Sequence, residues 1–75
     1  MAIGPGDLRA GMVVCDVRGR RLGHVGEVEG EHFTLVAESD GELRLSIGDI
    51  FTVADDEVTM IFGADTLKRH VLEEK

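Results

Sequence analysis

The stretch Gly11–Glu29, GMVVCDVRGRRLGHVGEVE, decides the fold. Met12 and Val14 share one face of an extended strand, with Val13 and Cys15 on the other. Asp16-Val17-Arg18-Gly19-Arg20 supplies turn chemistry, because aspartate accepts backbone hydrogen bonds and glycine tolerates a positive φ. Leu22, Val25 and Val28 then recur at every third position, which fits neither strict alternation nor a clean helix. Gly19, Gly23, Gly26 and Gly30 would each cost a helix about 1 kcal/mol relative to alanine. The pattern predicts a strand with bulges or bends at Gly23 and Gly26, which turn Val25 and Val28 toward one interior. A small barrel needs strands that bend in this way in order to close.

Working outward, Met1–Gly6 reads as a loose lead-in, and Asp7-Leu8-Arg9-Ala10 as a single helical turn with Leu8 against the barrel mouth. After the hairpin, His32–Ala37 alternates with Phe33, Leu35 and Ala37 on one face. Asp40-Gly41 within Ser39–Glu42 is a hairpin turn signal, and Leu43, Leu45 and Ile47 alternate beyond it with Arg44 and Ser46. Gly48-Asp49 interrupts, and Ile50–Val53 is a short strand or a single turn. Ala54-Asp55-Asp56-Glu57 is an acidic turn before the last strand, Val58–Phe62. From Ala64 the period changes. Leu67 and Val71 lie four apart behind Asp65 and Thr66, either of which can cap, so a helix is expected over 64–71. A helix this short forms only if Leu67 and Val71 are buried, on the chain's own barrel or on a partner. No second domain is indicated.

The expected architecture is all-β. It is a small closed or partly closed barrel of about five to six antiparallel strands over roughly 7–62, with a short C-terminal helix within 64–75. Its core draws on Val14, Leu22, Val25, Val28, Phe33, Leu35, Leu43, Leu45, Ile50, Val53, Val58 and Met60.

The run Val14-Cys15-Asp16, then Arg18-Gly19-Arg20-Arg21-Leu22-Gly23-His24-Val25 and Val28, resembles the opening of PRC-barrel domains. That family shows a V-x-D-x-x-G-x-x-[I/L]-G-x-V-x-x-V phrase, matched here from Val14 to Val28. Leu45, Ile47, Ile50, Val53, Val58 and Met60 resemble the family's later IP-x-x-x-I-x-x-V strand, turn and strand, with Gly48 where proline is frequent. The resemblance implies a non-catalytic protein-interaction or adaptor module. In the family the barrel serves the photosynthetic reaction-centre H subunit and a ribosome-maturation factor, and also occurs in short stand-alone proteins. This stretch shows neither the H subunit's membrane helix nor the ribosome factor's preceding barrel, so a stand-alone member is expected and neither job carries over.

Composition narrows the partners. The 75 residues suffice for one thin core, and a Gly count of 10 suits a turn-rich β architecture. A single cysteine forbids an internal disulfide. No signal-peptide pattern opens the chain and no apolar run is long enough to span a bilayer, so a cytoplasmic protein without membrane insertion is expected. The net charge is −7, with 8 Lys and Arg against 15 Asp and Glu, which argues against nucleic acid as the ligand. A protein partner or self-association is expected instead.

No catalytic residue, cofactor site or metal site is assigned. His24 and His32 could face each other across the turn at Gly30, which would support a small metal-binding or enzymatic protein as the alternative. Against that stands the requirement of zinc for three or four converging ligands. Cys15 reads as a small buried strand residue. The acidic turns lack the spacing of a calcium loop, and Gly23-x-x-Gly26 lacks the following helix and Lys-Ser/Thr of a phosphate loop. Arg18, Arg20 and Arg21 form the one basic knot, which reads either as a solvated turn or as a contact for phosphate or an acidic partner. With Leu67 and Val71 they complete the candidate partner-binding residues.

Overall fold

The computed structural model describes residues 3–38 and 41–72. Six strands form one sheet: β1 (Val13–Cys15), β2 (Arg21–Glu29), β3 (His32–Ala37), β4 (Gly41–Ser46), β5 (Ile50–Ala54) and β6 (Glu57–Met60). Their order is β4-β3-β2-β1-β6-β5, so the sheet is a partly closed barrel with β4 and β5 outermost. Four of the five pairings are antiparallel. The fifth departs from the all-antiparallel expectation: β1 and β6 run parallel, with Val14 beside Val58. No hairpin joins these two strands, and the four strands between them serve as the crossover that a parallel pair requires.

The uneven spacing in β2 comes from two register breaks, as expected, but the first falls at Leu22 and not at Gly23, which pairs with both Val14 and Ala37. Val14 faces Gly23 but Cys15 faces Arg21, which leaves Leu22 as an extra residue. Val25 faces Leu35 and Val28 faces Phe33, so a second irregularity falls at Gly26-Glu27. Each shift resets the alternation, and Leu22 and Val25 are both buried while Val28 packs half-buried against them. Gly23 has a further reason to be glycine. A Cβ placed there would lie 2.1 Å from the carbonyl oxygen of Val36, so β2 and β3 approach too closely for any side chain. A third shift makes Phe51 the extra residue of β5, which lets both Ile50 and Val53 turn inward.

Two-residue turns connect the β2–β3 and β5–β6 hairpins. Gly30 takes φ +55° between Glu29 and His32. Asp55 and Asp56 take φ 52° and 63° between Ala54 and Glu57, a left-handed pair that aspartate tolerates better than most residues. The expected turn at 39–42 falls partly outside the described residues, but β3 and β4 pair in register up to Ala37 and Gly41.

Nine of the twelve expected core residues are buried, and Val28, Leu43 and Val53 pack half-buried against them. Leu8, Met12, Ile47, Phe62 and Leu67 complete the interior. The helical turn expected at 7–10 lies earlier, as a 3₁₀ turn at Pro5–Asp7, where Pro5 opens it and Leu8 is left extended with its side chain in the core. The C-terminal helix is also shorter than expected. A 3₁₀ turn, Ala64–Thr66, leads into α1 (Leu67–His70), and Val71 is already extended. Thr66 takes the N-cap position of α1 but makes no side-chain capping bond: its hydroxyl donates to the carbonyl of Gly63, which precedes the 3₁₀ turn. Among the described residues no helix is long and apolar enough to cross a membrane.

Candidate functional site

The turn after β1 is held from inside by Asp16, the one buried charged residue among those described. Its Oδ1 accepts from the backbone N–H groups of Arg18 and Arg20 at 2.9 and 2.8 Å. Its Oδ2 accepts from the N–H of Ala64 at 2.9 Å. Backbone bonds close the same turn, from Asp16 N–H to the Arg20 carbonyl and from Gly19 N–H to the Asp16 carbonyl. Burial alone would push this carboxyl up. The donors from Arg20, Ala64 and Arg18, with the charge of Arg20, outweigh burial and hold it below its ordinary 3.8. Asp16 therefore stays ionised and acts as a fixed strut.

That strut spaces two walls of a cleft. Arg20, Arg21 and Leu22 form one side, Ala64 and Leu67 the other, and Ala37 and Glu38 complete it around about 230 Å³. Arg21 Nε meets Glu38 Oε2 at 3.0 Å, with both side chains more than half exposed. Of the arginine knot, the structure thus places Arg20 and Arg21 in the cleft wall and Arg18 exposed on the same turn.

The tail docks on its own domain. Leu67 belongs to the core, and Val71 packs half-buried against it. His70 stacks on Phe62 with ring centroids 4.4 Å apart, and its Nδ1 lies 3.4 Å from Asp49 Oδ2. Leu72 N–H donates to the Arg44 carbonyl at 2.8 Å, which ties the tail to outer strand β4.

A second feature escaped the sequence reading. Among the described residues three large apolar side chains are exposed: Val17 at 50%, Phe51 at 67% and Ile61 at 48%. Val17 N–H donates to the Phe62 carbonyl, so the chain after β1 continues beside the chain after β6. Ile61 N–H donates to the Asp49 carbonyl, next to the start of β5. The three residues therefore sit on neighbouring segments. Alternation hinted at Ile61, whose neighbours Met60 and Phe62 are core, whereas Phe51 faces outward only because of the bulge.

The histidine pair does not form. His24 lies opposite Val13 and Val36, and His32 opposite Glu29 and Ser46, because the tight turn at Gly30 pairs His32 with Glu29 and leaves His24 farther back along β2. Among the described residues no three of His, Cys, Asp and Glu gather to hold a metal ion. Cys15 is buried and donates to Glu57 Oε2 at 3.1 Å across the β1–β6 pair. Burial, the Glu57 hydrogen bond and the nearby carboxylates push its thiol up to about 11, so it is a poor nucleophile. A second depression, of about 390 Å³, lies beside the exposed Arg9–Asp56 pair.

Compared with family models, with curated proteins and with solved structures, the chain finds no match.

Proposed function

We propose that the chain is a non-catalytic interaction module of the PRC-barrel type, which docks on a protein partner whose contact surface is both apolar and acidic. The exposed trio Val17, Phe51 and Ile61 carries this reading. Scattered surface leucines need no explanation, but three large apolar groups exposed on adjoining segments of so acidic a chain support a common docking patch. Arg18 follows Val17 directly and gives the patch a positive rim, which favours an acidic partner. The V-x-D-x-x-G phrase gains a physical meaning in this reading: Val14 is core, Asp16 is the strut and Gly19 turns at φ +86° to present the rim.

The test begins with stoichiometric capture from the source cell, identification of the partner and calorimetry with the purified pair. The triple variant Val17→Ser, Phe51→Ser, Ile61→Ser keeps the wild-type melting temperature and loses about tenfold or more in affinity. Unchanged affinity overturns the docking face. Concentration-dependent sedimentation of the wild type alone, abolished in the triple variant, replaces the foreign partner with a second copy of the chain.

A further inference from the structure

Resting on the interaction-module reading and deepening it, we infer that the cleft beside Arg20 and Arg21 receives an acidic side chain of the partner, with an apolar neighbour of that residue seated on Leu22, Ala37, Ala64 and Leu67. Charge distribution gives the first reason. A chain of net charge −7 places three of its eight basic residues within positions 18–21, and two of them line this one cleft.

The second reason is that a carboxylate already occupies part of the site. Glu38 sits on Arg21 at 3.0 Å, in a pair open enough to water to exchange for an incoming acid. Glu38 bonds Arg21 alone, and Arg20, whose charge also helps to hold the buried Asp16 ionised, adds a second cation to the cleft wall. Size is the third reason. About 230 Å³ is below the roughly 300–1,000 Å³ of cofactor and drug-sized pockets, which suits the side chains of a short peptide segment rather than a cofactor. The apolar lining distinguishes the site from a bare phosphate contact.

The last reason is preorganisation. Asp16 bonds the backbone of Arg20 on one wall and of Ala64 on the other, so the two walls are set apart by one buried carboxylate. A cleft fixed in this way loses little freedom when it is filled.

The experiment titrates the full chain with acetyl-Glu-Leu-amide and follows backbone amide resonances. Shifts concentrated at Arg20, Arg21, Leu22, Ala37, Ala64 and Leu67 are expected, with the Gln-Leu analogue about tenfold weaker. Arg21→Gln weakens the dipeptide by a similar factor. Glu38→Gln strengthens it about two- to fivefold by removing the internal competitor. A site with only a structural role would not show these opposite signs. The proposal is overturned by equal binding of the Glu and Gln peptides, by a Glu38→Gln variant that fails to tighten, or by inorganic phosphate shifting the same amides at the same concentrations. The Val17, Phe51, Ile61 triple serine variant separates the two readings. If it loses the partner while the dipeptide never binds the wild type, the docking face stands and the cleft proposal falls.

Discussion

The Oδ2 of Asp16 accepts a hydrogen bond from the backbone N–H of Ala64 at 2.9 Å, across 48 positions of the chain. One side chain thereby fixes the first turn and the entry to the tail, and both walls of the cleft depend on it.

Removing it strands three donors. Asp16→Ala is expected to destabilise the domain by about 2–4 kcal/mol in urea titration. The carboxyl is held below 3.8 in the folded state, so its contribution is complete above that pH and is lost as pH falls through the lower folded value. The stability gap between wild type and Asp16→Asn is therefore full above about pH 4 and narrows in stronger acid.

Gly23 and Gly26 separate two kinds of glycine requirement. A Cβ at Gly23 meets the Val36 carbonyl at 2.1 Å, whereas at Gly26 it meets the Val36 Cγ2 at 3.1 Å, where a side chain can give way. Gly23→Ala is expected to cost about 3 kcal/mol and Gly26→Ala less than about 1 kcal/mol. Gly48→Ala, with the Ser46 hydroxyl at 3.4 Å, leaves the melting temperature nearly unchanged. Equal losses at positions 23 and 26 would mean that the strands can separate at Gly23.

Cys15 is expected to resist alkylation. With the folded thiol near 11 against an ordinary 9.0, its thiolate fraction at pH 8 is about a hundredfold lower than in the unfolded chain, and burial slows attack further. Iodoacetamide labelling at pH 8 in water and in denaturant measures the ratio. Because the folded value is raised, the associated stability is complete below pH 9.0 and declines as pH rises through about 11. Glu57→Gln should speed labelling by removing one of the carboxylates that oppose the thiolate.

Leu67 and Val71 test how the tail is held. Leu67 is 5% exposed, and Val71 is half-buried. The double serine variant is expected to lose about 2–4 kcal/mol, most of it from Leu67. Docking on the chain's own core makes that loss independent of protein concentration, which melting curves over a hundredfold dilution series would show.

Much of the fold was legible because the signals were local. Alternation placed Phe33, Leu35 and Leu45 in the core, and the spacing of Leu22, Val25 and Val28 announced a broken register before any pairing was known. Pairings between distant segments left no such mark. Nothing near Asp16 signals Ala64, and nothing in Val13–Cys15 specifies a parallel neighbour over an antiparallel one. The candidate site divides in the same way. The arginine knot stands out in the sequence, but its cleft exists only once Ala64 and Leu67 arrive from the far end of the chain. Phe51 looked like an ordinary strand residue, because a bulge in β5 becomes visible only against β6.

The side-by-side parallel course of β1 and β6 also sets when the molecule can fold. Val14 and Val58 are both fully buried and belong to neighbouring strands, so the first strand lacks one flank until the last has been synthesised. A nascent chain stalled before residue 57 holds the β2–β3–β4 meander with its core face open on one side. Loop closure over most of the chain must precede that final contact, which places the domain among slow folders for its length. Arrival of β6, rather than growth of the hairpins, is then the event that completes the sheet.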